Sequence, residues 1–203
     1  MAEVYLDEEV VNFEGPPPQD VNAVWSLVEG FLGGAGKLIR SMTVDGNGWT
    51  PESGVEIGEF EKIEIRSWSQ LENLIFCVEQ FVLQKTEMLD SWDHAGRKVL
   101  STSWTSYQTE AVESLESLKP LIQLAETLAN VAQSQAFDWG GRFGELNNSL
   151  NTCLGKLIDT IGSKDSIRFS DLVAYEFRKV LIESYDMIER DALPSLRALV
   201  SDE

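Results

Sequence analysis

A change of sequence pattern near residue 67 constrains the fold of this chain more than any other feature. Before it, short β-prone runs alternate with turn signals, and after it apolar residues recur at helical spacings of three and four. The stretch 67–92 carries the first long apolar stripe, and Ser69 followed by Glu72 is a capping-box helix start. The pattern predicts an α+β protein of two domains, residues 1–66 and 67–203.

Four short strands and one helix are predicted in the N-terminal domain. The runs 4–6 and 10–13 are β-prone and predict a hairpin, and Asp20 is a good N-cap for a helix of about 13 residues that ends at a glycine cluster. Further strands are predicted over residues 38–44 and 60–66, where apolar and charged residues alternate. The predicted order is therefore ββαββ.

This element order resembles the β-grasp family, in which a mixed sheet wraps around one helix. The resemblance covers residues 3–67 and rests on the order of elements. It implies neither a carrier nor a redox role, because the last strand runs into the helical domain without a Gly-Gly tail and no cysteine cluster is present for an iron–sulfur centre. What the resemblance implies is a small binding or docking module.

The helical domain is predicted to be an up-down bundle of about four helices. The apolar stripes place these helices over residues 67–92, 100–132, 143–161 and 166–193. Residues 93–96 are predicted to form a turn. Pro120 predicts either a kink or the start of a separate helix, and Pro194 is expected to kink or end the last one.

The net charge of the chain disfavours some classes of binding partner. A net charge of −18 repels nucleic-acid phosphates and anionic lipids, so we expect neither nucleic acid nor a membrane as partner. The sequence starts without a basic, apolar signal-peptide pattern and has no stretch of about 18 uninterrupted apolar residues, which predicts a cytoplasmic protein. We expect another protein as the partner, and self-association is left open.

Candidate residues for chemistry are few. His94 is the only histidine and is expected in an exposed polar turn, without a Gly-x-Ser-x-Gly element elsewhere. Cys77 and Cys153 lie in helical apolar patterns and are expected to be buried free thiols. The segment 30–37 is rich in glycine but departs from the phosphate-loop spacing. We therefore expect no catalytic residue, no metal site and no cofactor.

The most unusual loop combines aromatic side chains, an arginine and glycines in residues 135–144. Trp and Arg are the residue types that most often anchor protein interfaces. The candidate partner-binding residues are therefore Phe137, Trp139, Arg142 and Phe143. The alternative is that the two phenylalanines close the end of the bundle and Trp139 covers them.

Two functions are carried forward from the sequence. The first is a non-enzymatic cytoplasmic adaptor or assembly protein that acts through protein–protein interaction. The second is a small-molecule-binding protein or enzyme with a carboxylate-lined site between the two domains, where pockets often form. The lack of any catalytic or cofactor motif favours the first.

Overall fold

A computed structural model of the chain describes residues 3–13, 15, 18, 20–54, 57 and 60–201. Its architecture is mixed α+β, as the change of sequence pattern predicts. Contacts divide it into two compact units, Met1–Phe76 and Cys77–Glu203. Among the described residues, no helix is both long and apolar enough to span a membrane.

The N-terminal unit is built on a five-stranded sheet. Its elements in chain order are β1 (Glu3–Leu6), β2 (Glu9–Val10), α1 (Val21–Gly34), β3 (Lys37–Val44), β4 (Asn47–Trp49), a 3-10 turn (Pro51–Ser53) and β5 (Lys62–Ser69). The strands lie side by side in the order β2-β1-β5-β3-β4. The central strands β1 and β5 are parallel, and every other neighbouring pair is antiparallel.

Apolar periodicity explains how the helix packs on this sheet. In β5 the alternate residues Ile63 and Ile65 are buried, because successive side chains of a strand point to opposite faces. In α1 the buried side chains recur at helical spacing, at Val21, Val24, Val28 and Leu32. Asp20 accepts a hydrogen bond from the Asn22 amide at 3.1 Å, which confirms it as the predicted N-cap.

The strand β5 passes directly into the helix α2 (Gln70–Leu83). At the junction the Glu72 amide donates to the Ser69 hydroxyl at 3.1 Å, and the Ser69 amide donates to the Glu72 carboxylate at 2.7 Å. These reciprocal bonds form the predicted capping box, which is confirmed. The helix starts at Gln70, a few residues later than the predicted stretch.

Helices make up the C-terminal unit. After α2, they are α3 (Lys85–Ser101), α4 (Trp104–Glu116), α5 (Lys119–Ser134), α6 (Gly140–Ser163), α7 (Ser166–Asp171), α8 (Arg178–Met187) and α9 (Leu193–Ser201). Two π-helical segments, Leu172–Phe177 and Ile188–Ala192, join the last three into one continuous helical run. A π-helical turn is wider than an α-helical turn, so this run is not a uniform helix.

The predicted turn at residues 93–96 is wrong, because these residues lie inside α3. Gly96 is buried against the first π-helical segment, and a Cβ atom at position 96 would lie 3.0 Å from Val173 Cγ1. This glycine therefore permits close helix packing and does not mark a turn. The stretch 67–92 is also not one helix, since α2 ends at Leu83 and α3 begins at Lys85.

The two prolines of the helical unit, Pro120 and Pro194, both lie near the start of a helix. Pro120 lies in the first turn of α5, where its missing N–H has no helical partner to lose. The long pattern over 100–132 is therefore divided into α4 and α5. Pro194 does not end the last helix but lies at the start of α9, directly after a π-helical segment.

Aromatic side chains fill the core of the helical unit. Trp92 packs edge-on against Phe177 with ring centres 4.7 Å apart, and Phe81 stacks on Tyr185 at the same distance. The buried Tyr107 hydroxyl donates to the Ala95 carbonyl at 3.0 Å, and burial raises the pKa of Tyr107 to about 12. These contacts tie α2 and α3 to α4 and to the C-terminal helical run.

Of the two cysteines, one is buried as predicted and the other is exposed. Cys153 is a buried free thiol on α6, as predicted. Cys77 is exposed, so its predicted burial is wrong. The apolar stripe of α2 buries Val78 and Phe81 instead, and residue 77 lies beside that stripe.

Candidate functional site

The β1–β2 hairpin turns through two acidic residues held in an unusual conformation. Asp7 and Glu8 have φ angles of 51° and 74°, the positive values that a two-residue hairpin turn needs. Asp7 accepts hydrogen bonds from the Ser67 amide at 2.8 Å and from its hydroxyl at 2.5 Å. Glu8 accepts one from Arg66 Nη2 at 2.9 Å. These bonds fasten the turn to β5 and so fix the position of β2.

The hydrogen bonds that anchor the turn require Asp7 to be a charged carboxylate. Burial acts to raise the pKa of its carboxyl group, but the two hydrogen bonds from Ser67 and the nearby charges of Lys37 and Arg66 act in the opposite direction. The net result is that the pKa of Asp7 lies below its ordinary value. The carboxylate is therefore charged, and its hydrogen bonds are intact, at neutral pH.

The strand β2 leaves one side of its backbone unused. It lies at the end of the described sheet, and along any strand successive N–H and C=O groups point alternately to the two sides. The Val11 amide donates to the Val4 carbonyl at 2.8 Å, so residue 11 faces β1. Val10, which lies opposite Tyr5 in the register, therefore directs its N–H and C=O away from β1. This is an open sheet edge.

An apolar groove runs beside this edge, between the hairpin and α1. We call it the hairpin groove, and its volume is about 410 Å³. One wall comes from the strand side, with Val11 and Phe13 half-buried against the core. The other wall comes from α1, with Leu27 and Phe31. The groove therefore combines an apolar wall on each side with backbone at its rim that pairs with no strand of the described sheet.

Large apolar side chains are exposed around the hairpin groove. Leu27 is 55% exposed, and Phe31 is 69% exposed. Gly30 and Gly34 share a face of α1 with Leu27 and Phe31, because each glycine follows one of these two residues by three positions. Within the described chain, a Cβ atom at either glycine would meet nothing within 4 Å. This face of α1 is thus both apolar and open to close approach.

The charge in the lining of the hairpin groove is negative. Among the described residues that line it, Glu9 alone carries a charged side chain. It is exposed, and it belongs to a chain of net charge −18. The groove therefore favours apolar ligands with a positive group near Glu9.

Sequence reasoning missed this groove for a definable reason. The apolar residues of α1 recur at helical spacing, and by spacing alone Val28 and Leu32 are equivalent to Phe31. The structure leaves it exposed, because the sheet covers only the arc that contains the buried valines and Leu32. The available signal was Leu27, which widens the apolar arc of the helix on the Phe31 side.

The predicted loop at residues 135–144 lies in the helical unit. Trp139 is 1% exposed, stacks on Phe137 at 5.4 Å and meets Phe143 edge-on at 5.7 Å. Its Nε1 donates to Ser195 Oγ at 3.1 Å. Phe143 is buried and Phe137 is half-buried. This packing favours the alternative in which these aromatic side chains close the end of the helical unit.

Arg142 is the fourth predicted residue of that loop and remains exposed. Its Nη2 donates to Asp191 Oδ2 at 3.1 Å, across to the second π-helical segment. Both residues border an open groove of about 470 Å³ that mixes acidic and basic side chains. A role in partner binding for the predicted residues stays a prediction, with Phe137 and Arg142 as those that reach the surface.

Asp186, which also borders this groove, is paired with a lysine that lies outside the groove lining. Lys85 Nζ donates to Asp186 Oδ1 at 2.7 Å and lies 3.6 Å from Glu189. The hydrogen bond to Asp186 raises the pKa of Lys85, and the hydrogen bond from Lys85 lowers the pKa of Asp186. The pKa values of Lys85 and Asp186 are thus both shifted away from neutral pH. Acid–base catalysis is favoured by a pKa close to neutral pH.

No metal-binding cluster of three or more His, Cys, Asp or Glu residues occurs in the described part of the chain. His94 is exposed on α3, and the pKa of the Cys153 thiol is raised by burial and by the nearby Glu176. A raised pKa disfavours the thiolate that a cysteine nucleophile needs. The hairpin groove is thus the site best suited to binding.

The fold and the groove define an α+β protein with a surface suited to binding. Comparison with known proteins adds nothing to that class: no family model, curated protein or solved structure matches this chain.

Proposed function

We propose that this protein is a non-enzymatic cytoplasmic adaptor or assembly protein that binds another protein through the hairpin groove. The observation that carries the proposal is the exposure of Leu27 and Phe31 beside one apolar groove. Contiguous apolar surface of this kind marks interaction sites, because covering it removes apolar area from water at about 25 cal/mol per Å².

We further propose a finer description of the architecture. The N-terminal unit is a β-grasp module, supported by its strand order, its parallel central pair and the single long helix packed on its sheet. The C-terminal unit is an up-down helical bundle, supported by the short connections between successive helices. In this architecture the groove belongs to the β-grasp module.

The proposal includes a class of partner, another protein, and a compartment, the cytoplasm. A net charge of −18 supports a protein partner over nucleic acid or an anionic membrane. Two free cysteines support a reducing compartment such as the cytoplasm, and binding of this kind needs no cofactor. The alternative function, a small-molecule-binding protein or enzyme with a carboxylate-lined site between the domains, stays a prediction of the sequence.

The proposal is tested by affinity capture with matched surface variants. Phe31→Ser removes an apolar side chain of the groove that is 69% exposed, and Ile167→Ser removes one of similar exposure, 70%, from α7. We expect the wild type and Ile167→Ser to retain the same proteins from a lysate of the source cells, and Phe31→Ser to lose them. Identical captured sets for all three chains would contradict the proposed binding surface. Sedimentation of the purified chain would report self-association through the same groove.

A further inference from the structure

The open edge of β2 offers hydrogen bonds that only some ligands can use. Val10 presents one N–H and one C=O away from β1, and this pair is the pattern that an added strand requires. A helix satisfies its own backbone and cannot use these groups. An extended segment uses both and joins the sheet as a further strand.

The hairpin groove beside that edge is suited to the side chains of such a strand. Alternate side chains of an extended segment point to one face, and the groove has apolar walls from both Phe13 and Phe31 to receive them. The turn that carries β2 is fastened to β5 by Asp7 and Glu8. The edge is therefore held in place before a ligand arrives, which lowers the entropy cost of binding.

Charge selects among extended segments. Glu9 is the single charged side chain among the described groove residues, and the whole chain carries −18. A cationic segment is attracted by both, whereas a second copy of this chain is repelled by its own negative charge. Charge complementarity therefore favours a basic partner over self-pairing of two β2 edges.

We propose that the hairpin groove binds an extended, positively charged segment of a partner protein, which adds to β2 as a new edge strand. The segment places apolar side chains, at alternate positions, between the hairpin and α1. It places a Lys or Arg beside Glu9. This inference rests on the proposed adaptor function and names the chemistry of the segment that the adaptor recognises.

The test uses a displayed library of random linear peptides selected on the full chain without counter-selection, so that Phe31→Ser can afterwards be titrated with the enriched peptides. We expect the enriched peptides to be basic and to carry apolar residues at alternate positions. The best peptide is then synthesised and titrated against wild type, Glu9→Gln and Val10→Pro. Proline at position 10 removes the outward N–H and keeps the hydrogen bonds to β1, because the Val10 N–H takes no part in pairing with β1.

The expected effects follow from the groups removed. Val10→Pro loses one hydrogen bond and should weaken binding about 3- to 10-fold. Glu9→Gln loses one exposed ion pair and should weaken it about 2- to 5-fold, with a smaller dependence on salt. In the wild-type complex, hydrogen exchange of the Val10 amide should slow. The exchange measurement tests strand addition even if Val10→Pro folds poorly.

The failures of the two proposals are distinguishable. If Phe31→Ser binds the selected peptides as well as the wild type does, the groove itself is the wrong surface. If Phe31→Ser loses them while Val10 amide exchange is unchanged in the complex, the groove stands and strand addition is wrong. Enriched peptides that are acidic or have helical three-and-four spacing, or a library that yields none, also overturn strand addition.

Discussion

At the scale of single residues, Asp7 connects the hairpin to the rest of its unit. It combines a positive φ with two hydrogen bonds from Ser67. Neither property is visible in the sequence, where Asp7 is one of three consecutive acidic residues. The hairpin itself could be predicted from β-prone runs, because strand propensity is local, but its anchor depends on a residue 60 positions away along the chain.

The lowered pKa of Asp7 predicts a pH-dependent stability. A carboxyl group with a depressed folded-state pKa stabilises the fold above its ordinary value of 3.8, and this contribution is lost as the pH falls through the folded-state pKa. Asp7→Asn keeps a side chain that tolerates positive φ but does not titrate. We expect wild type to exceed Asp7→Asn in unfolding free energy at neutral pH, and the difference to shrink in acid. Urea unfolding at several pH values checks this; a constant difference would contradict it.

The two cysteines give a second test at this scale. Cys77 is exposed, whereas Cys153 is 6% exposed and has a raised pKa. Because alkylation requires an accessible thiolate, we expect iodoacetamide to label Cys77 rapidly and Cys153 slowly in the native chain. Peptide mapping by mass spectrometry measures both rates. Equal rates in native protein, with equal rates in urea as the reference, would show that the helix faces are assigned wrongly.

At the scale of elements, α1 carries glycines that the described chain does not require. Gly30 lies in the interior of the helix, and a Cβ atom there meets no described atom within 4 Å. Glycine in a helix interior is less favourable than alanine by about 0.5–1 kcal/mol. The N-terminal unit therefore gives up stability at this face, next to the hairpin groove.

Gly30→Ala is expected to raise the free energy of unfolding by about 0.5–1 kcal/mol, because it reduces the freedom of the unfolded chain without strain. Gly36→Ala provides the contrast, since Gly36 has a φ of 68° that alanine adopts poorly. It should destabilise the chain. Chemical denaturation followed by Trp fluorescence measures both variants, and a destabilising Gly30→Ala would mean that the face of α1 is covered in the folded protein.

Elements were predictable where their signals are local. The capping box at Ser69 and the N-cap at Asp20 involve groups two or three residues apart, so sequence spacing was sufficient. Gly96 was misread as a turn because its role is a contact with Val173 on another helix. The exposure of Phe31 could not be predicted, because an apolar stripe does not specify how much of its arc a sheet will cover.

At the scale of the whole molecule, the two-part α+β organisation could be predicted from the sequence, and the hairpin groove could not. The two-part α+β organisation followed from a change of periodicity that extends over many residues. The hairpin groove depends on which sheet edge is left open, which is a property of strand order. Strand order is set by pairings between distant segments, such as β1 with β5, and no local pattern encodes it.

The net charge of −18 predicts that the chain does not bind nucleic acid. A duplex carries one negative charge per ~1.7 Å of axis, so binding would need a dense basic patch to overcome repulsion. We expect no change in the fluorescence anisotropy of labelled duplex DNA, single-stranded DNA or RNA at low salt. Micromolar binding that weakens steeply with added salt would overturn both this prediction and the adaptor proposal.

The two π-helical segments mark where this chain can change its length by one residue. A π-helical turn holds one residue more than an α-helical turn, so removing one exposed residue from Leu172–Phe177 leaves an α-helical turn and the same faces beyond it. Deleting Lys179, in α8, would instead rotate all that follows by about 100° and carry Tyr185 out of the core. We therefore expect the chain lacking Tyr175, which is 75% exposed, to retain its fold in near-UV circular dichroism. The chain lacking Lys179 should lose it, and equal effects would contradict this account.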